Sequence, residues 1–218
     1  MGLKKSNAGA GNITFVTLSG ARGAFEKKGK NEEGHSVVLE SYDRLDGRVT
    51  KVDVSPTNFE GREGYELKVR LDDGESVVQF GVPLGTFFSA KVVGLLNAAD
   101  LAKPILFMVG RVEKGDRLGD SIADKEFPWV SAKQGDVKLA PVYNDGASEL
   151  PSPKEVRING QVHKDMEEIN RLVAGVVAEL QARVQEFNGP AATDAADADG
   201  GIDPAEAAAA AAGQRPRG

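Results

Sequence analysis

Apolar and polar residues alternate most regularly within Leu45–Pro83, and this alternation predicts three β-strands. Tyr65–Leu71 alternates without a break, with its charged side chains all in the opposite phase. The strand before it, Leu45–Val54, changes phase at Val52, which is the pattern that a β-bulge leaves in a sequence. The strand after it, Ser76–Val82, follows a short turn and pairs with the second strand as a hairpin.

A helical pattern follows these three strands. In residues 85–100, Phe88, Val92 and Leu95 recur at helical spacing. Two further strands are predicted, at Ile105–Val112 and Glu126–Ala132. Three strands, a helix and two strands is the order of an OB fold, so we expect a mainly β, five-stranded OB-type barrel with a helix between strands 3 and 4.

The segment before the barrel core is less regular. Residues 1–11 are rich in Gly, Ala and Lys and are predicted to form a flexible basic arm. Residues 12–20, with Ile13, Phe15 and, as a further candidate, Val16 taken as the apolar positions, and Ser36–Tyr42 are interpreted as strands. The strands are joined by a Gly- and Lys-rich loop, residues 20–34, which includes Glu26–Lys30. That segment and the later loop Gly110–Asp120 could close over a ligand, but lysine and glycine are also common in loops that are merely solvated.

The C-terminal part changes character after the predicted barrel domain, residues 12–143. A linker over residues 144–160 is expected to lead into an amphipathic helix over 161–187, whose apolar stripe runs from Val162 to Phe187. That stripe must pack on its own barrel, pair with a second copy or bind another protein. Residues 188–218, poor in large apolar groups, are predicted to form a disordered tail.

Composition narrows the possible chemistry. The 218 residues include no cysteine and two histidines, which removes disulfides, thiolate chemistry and cysteine zinc sites. No nucleophile, base or metal ligand set can be assigned, so we expect a protein that is not an enzyme and has no cofactor. No apolar run of membrane-spanning length and no signal-peptide pattern occurs, which favours a cytoplasmic location without membrane contact.

Charge is unevenly distributed along the chain. The net charge is −6, yet residues 1–51 are net +3, while residues 52–143, 144–188 and 189–218 are each net −3. Nucleic-acid binding depends on a local basic surface rather than on the total charge, so an acidic chain does not exclude it.

The predicted strands place basic, amide and aromatic side chains where an OB barrel binds single strands, with cations for phosphates and rings for stacked bases. Two alternatives stay open: the charged residues could form a solvated strand face, and most of the aromatic residues could be core. The candidate nucleic-acid-binding residues are Arg48, Lys51, Phe59, Lys68, Arg70, Gln79, Arg111, Lys114 and Trp129.

Four motifs in order resemble a family of bacteriophage single-stranded-DNA-binding proteins with an OB fold. They are NITFVTLSG (12–20), LDGRVTKVDV (45–54), GYELKVRLDDG (64–74) and SAKVVGLLNAADLAKPILF (89–107). The resemblance covers about residues 12–143. It implies a protein of the host cytoplasm that coats exposed strands during phage DNA replication, recombination or repair without sequence preference.

One feature departs from proteins of this function, many of which end in an acidic tail with an aromatic or apolar tip. This chain ends in GQRPRG, so the amphipathic helix 162–187 is the better candidate for partner contacts. Two other functions remain as alternatives. One is a phage structural or assembly protein that uses the barrel as a scaffold, and the other is an OB module that binds RNA or a protein.

Overall fold

The computed structural model describes residues 13–20, 22–59, 62–143, 154–158, 161–165 and 167–188. The predicted arm and residues 189–218 of the predicted tail lie outside the described residues. The helices are α1 (Phe87–Ala98) and α2 (Glu167–Asn188). The strands are β1 (Ile13–Ser19), β2 (Ala24–Lys30), β3 (Ser36–Tyr42), β4 (Arg44–Phe59), β5 (Arg62–Asp72), β6 (Val77–Pro83), β7 (Ile105–Val112), β8 (Arg117–Leu118), β9 (Ser121–Ile122), β10 (Phe127–Gln134), β11 (Val137–Lys138), β12 (Lys154–Ile158) and β13 (Gln161–Asp165).

Nine of the described strands form one mixed sheet, in the order β11-β10-β7-β4-β5-β6-β1-β2-β3. Its neighbouring strands run antiparallel except β1 and β6, which are parallel. The predicted five-stranded OB-type barrel is therefore wrong. The order of β4, β5, β6, α1, β7 and β10 matches the prediction, but β1 occupies the edge of β6.

The N-terminal segment accounts for this difference. β2 lies where the sequence analysis predicted a loop at Glu26–Lys30. A loop was expected because the sequence AFEKKGK is rich in residues that disfavour strands. Its apolar anchor, Phe25, is fully buried, and β1 and β3 flank β2 on both sides. Pairing with two neighbouring strands and burial of one ring outweigh the low strand propensity of these residues. Both depend on the tertiary structure and are not visible in a short stretch of sequence.

The sheet curls around a common core. Phe25 of β2, Phe80 of β6 and Phe107 of β7 pack edge to face, with ring centroids 5.3 and 5.4 Å apart. Gly23, in the turn between β1 and β2, lies against Gly110 of β7, and a Cβ there would stand 2.3 Å from the Gly110 carbonyl. Strands far apart in the sheet order thus meet on the inside of the curl.

Helix α1 confirms the helix predicted between the third and fourth core strands. Thr86 caps it: the Thr86 hydroxyl accepts from the Ser89 backbone N–H at 3.1 Å, and the Ser89 hydroxyl accepts from the Thr86 N–H at 3.3 Å. Its residues Val92, Leu95 and Leu96 are buried in the core. The helix packs its buried face against α2, β10 and β6.

Helix α2 begins later than predicted. Residues 161–165, placed by the sequence interpretation in the helix, form β13, which pairs with β12 inside the predicted linker. Asn159 and Gly160 stand between these strands in the sequence, and Asn-Gly is a strong hairpin signal. Val162 is half exposed on this hairpin rather than buried in a helical stripe.

The apolar stripe of α2 packs on the protein's own core. Ile169, Val173, Val176, Leu180 and Val184 are all buried. The helix lies beside α1 and the part of β4 beyond residue 47, where β7 no longer pairs with β4. These apolar residues are therefore part of the fold.

Polar contacts fix the C-terminal half of α2. The Arg183 guanidinium donates to the Asn97 carbonyl at 3.2 Å, the Asn97 side chain at 2.9 Å and the Ala99 carbonyl at 3.0 Å. It thereby satisfies carbonyls at the C-terminal end of α1 that lack partners within that helix. The Asn188 amide donates to the Val49 and Thr50 carbonyls, both at 3.4 Å, on the open edge of β4.

Candidate functional site

A row of four side chains crosses the outer face of the sheet. Strand register places Lys51 of β4 opposite Arg70 of β5, Arg70 opposite Gln79 of β6, and Gln79 opposite Phe15 of β1. Neighbouring strands lie about 4.8 Å apart, so the row spans about 14 Å. We call these four residues, together with Lys68 of β5, the basic strip.

The outward direction of the strip follows from alternation. Leu67, Val69 and Leu71 of β5 are buried, so Lys68 and Arg70 between them point away from the core. On β4 the predicted bulge is confirmed, since the register shifts between Val49 and Lys51. The extra residue of the bulge allows Arg48 and Lys51 to share the outer face although three positions separate them.

A hydrogen-bonded pair forms the centre of the strip. Arg70 donates from Nε and Nη2 to the Gln79 Oε1, each at 3.2 Å. Gln79 is buried, and Arg70 is half-buried. Two bonds to one acceptor hold the guanidinium beside β6, one strand away from Phe15.

Phe15 is the aromatic residue of the strip, and the sequence interpretation placed it wrongly. The residue is 61% exposed, whereas Val16 and Leu18 of the same strand are buried. Of the predicted apolar positions Ile13, Phe15 and Val16, the first two therefore lie on the outer side and only Val16 is buried. The signal was present in the sequence, because Val16 and Leu18 form an apolar phase of their own opposite Phe15.

Carboxylates limit the strip on one side. The Lys51 ammonium lies 3.8 Å from Asp53, and Asp53 also accepts from the Gln181 side chain at 3.5 Å. Lys68 pairs across the ladder with Asp53 and lies next to Gly81. The row of Lys68, Asp53 and Gly81 thus holds one formal positive and one formal negative charge, whereas the row of Lys51, Arg70, Gln79 and Phe15 holds two formal positive charges.

Glu66 lies at the end of the strip, partly buried against Gly81, whose missing side chain leaves room for the carboxylate. Burial raises the pKa of Glu66, while the charges of Lys68 and Lys28 act in the opposite direction. Burial disfavours the charged form of the carboxyl group, and it is the larger of the two effects. A charged Glu66 therefore costs folding free energy at neutral pH.

A second feature, which we call the α1–β10 groove, lies at the other end of the sheet. It is an open pocket of about 710 Å³. Its lining residues come from α1, the end of β7, β8, β10 and the chain around β11. They are Lys91, Leu95, Val112, Leu118, Phe127, Trp129, Val130, Ser131, Lys138, Leu139, Ala140 and Pro141.

Trp129 belongs to this groove and not to the strip. Its ring covers Gly110, where a Cβ would stand 2.5 Å from the indole. Register places Arg44 of β4 opposite Met108, and Lys51 lies seven residues further along β4, or about 23 Å. The candidate residues that the sequence assigned to one surface are therefore divided between two.

The remaining candidate residues join neither group. Arg111 forms ion pairs with Glu126 at 2.6 Å and with Glu113 at 3.3 Å. Lys114 is exposed in the turn between β7 and β8. The side chain of Phe59 lies outside the part of the chain that the structure describes.

Comparison with known proteins identifies no relative: no family model, curated protein or solved structure matches this chain. The resemblance drawn from the sequence motifs thus stays a prediction. Among the described residues, neither helix combines the length and the apolar character needed to cross a membrane. The described residues also contain no cluster of three or more His, Asp or Glu arranged to hold a metal ion.

Proposed function

We propose that the protein binds single-stranded DNA on the basic strip, without sequence preference and without catalysing a reaction. The observation that carries the proposal is the row Lys51, Arg70, Gln79 and Phe15, which sets two cations, an amide and an exposed ring on four adjacent strands. Cations that follow phosphates, combined with rings on which bases stack, form the usual surface for single strands.

The exposure of Phe15 supports this proposal more than the charges do. Lysine and glutamate alternate on many solvated strand faces, and such charges contribute little by themselves. A phenylalanine that is 61% exposed in the same row as Arg70 has no role in the core. A stacked base would remove this ring from water, and stacking tolerates every base.

The biological role that fits this binding is the coating and protection of exposed strands during phage DNA replication, recombination or repair. The alternative role, an assembly protein joined through its C-terminal helix, would need another surface. The apolar stripe of α2 is already packed on the core.

The test is fluorescence anisotropy with a labelled oligo-dT of about 30 nucleotides, measured across a salt series with duplex DNA as competitor. Each phosphate contact of a single strand contributes about 0.7 to the slope of log K against log salt. Replacing two such contacts, in Lys68→Ala/Arg70→Ala, should lower the slope by about 1.4 and the affinity about 25-fold at 0.1 M salt.

The matched control is Lys103→Ala/Lys154→Ala. Both lysines are exposed, at 69% and 74% of the side chain, and pair with Asp100 and Glu168 away from the strip. This control should bind like the wild type. Equal binding by the two double variants, or no binding by the wild type at low salt, would reject the proposed function.

A further inference from the structure

The α1–β10 groove has an unusual charge for this protein. Its described lining carries two lysines, Lys91 from α1 and Lys138 from β11, and no Asp or Glu. The chain as a whole is acidic, with a net charge of −6. A pocket with cations and no acidic lining residue is complementary to a polyanion or an acidic ligand.

Two aromatic rings also line the groove. Phe127 and Trp129 are two residues apart on β10, so both side chains lie on the same face of the strand. Phe127 is 38% exposed and Trp129 is half-buried over Gly110. The absence of a side chain at Gly110 leaves room for the indole over that residue.

The edge of β10 argues against a peptide strand as the occupant. β11 already pairs with Lys133 and Gln134, and the Leu139 N–H donates to the Ala132 carbonyl at 2.9 Å. Pro128 has no N–H to offer on this strand. A peptide added to the sheet would find few backbone partners, whereas stacked bases need only the ring faces.

From these features we infer that the α1–β10 groove binds a second stretch of the same DNA strand, with bases against Phe127 and Trp129 and phosphates near Lys91 and Lys138. This inference rests on the proposed function of the basic strip. The groove and the strip lie more than about 20 Å apart along the sheet, so one long oligonucleotide would contact both and a short one would not.

The chain contains one tryptophan, which makes Trp129 an internal probe. In the full-length protein we would titrate oligo-dT of about 30 nucleotides and record tryptophan emission together with anisotropy. Bases that stack on Trp129 should quench its emission in parallel with the rise in anisotropy. The Lys91→Ala/Lys138→Ala variant should bind about 25-fold more weakly at 0.1 M salt, with a salt slope lower by about 1.4.

Both groove lysines are exposed, so we expect this variant to fold, and thermal denaturation would verify it. The Lys103→Ala/Lys154→Ala variant again serves as the control. Unchanged tryptophan emission on oligo-dT binding, with a groove variant that binds like the control, overturns the groove site and leaves the strip proposal intact. Quenching by poly-glutamate but not by oligo-dT also overturns it and assigns the groove to an acidic peptide. No binding of oligo-dT at all rejects the strip and the groove together.

Discussion

Phe15→Ala separates a binding surface from a structural one. If the ring stacks on a base at the end of the strip, its removal should weaken oligo-dT binding by about 1–3 kcal/mol, or about 5- to 160-fold in Kd. The lost contact would lie on the basic strip, because Phe15 is in register with Gln79 and therefore in the same row as Arg70.

The same substitution should have little effect on folding. Full burial of a phenylalanine side chain contributes about 1.5–3 kcal/mol, and Phe15 is 61% exposed. The buried part therefore contributes roughly 1 kcal/mol or less. Truncation of the fully buried Phe80 should cost about 3–5 kcal/mol by comparison.

The assay pairs anisotropy titrations with thermal denaturation of the same samples. Leu39→Ala is the matched control, because Leu39 is 57% exposed on β3 and lies outside the strip. It should lose about as little stability as Phe15→Ala and bind like the wild type. The reasoning is refuted if Phe15→Ala binds as tightly as Leu39→Ala, or if it lowers stability as much as a core truncation.

Three further substitutions test the electrostatics and packing around the two surfaces. Burial raises the pKa of Glu66, so Glu66→Gln should raise Tm at pH 7. This gain in Tm should vanish as the pH falls below the unfolded-state pKa of about 4.3, where the carboxyl group is protonated in both states. A gain that persists at pH 3 would contradict this. Arg183→Ala removes charged hydrogen bonds to Asn97 and its neighbours, and should cost about 2 kcal/mol, or about 4–8 °C in Tm; an unchanged Tm would show that α2 does not depend on them. A glycine-to-alanine change within a helix ordinarily stabilises it by about 1 kcal/mol. A Cβ at Gly94 would stand 2.7 Å from the Tyr143 ring, so Gly94→Ala should lower Tm in thermal denaturation. A higher Tm would mean that the ring moves aside easily.

The sequence determined the helices and strands whose apolar period is contained in a short, continuous stretch of the chain. The unbroken alternation of β5 placed Lys68 and Arg70 on the outer face, and the phase shift in β4 predicted the bulge that adds Lys51 to it. The helical spacing of α1 and most of α2 was likewise visible. A strand or helix that is half buried must carry its apolar residues at its own period, so this information is local.

Tertiary structure decided which elements become neighbours. β2 forms from a lysine-rich segment because β1 and β3 flank it, and the parallel pairing of β1 with β6 gives a nine-stranded sheet instead of a five-stranded barrel. Only that pairing puts Phe15 in the same row as Arg70, and only the order of the sheet separates Trp129 from both. The period of a strand fixes the face on which a side chain lies, whereas the partner of each strand depends on contacts far apart in the sequence, which no local pattern encodes.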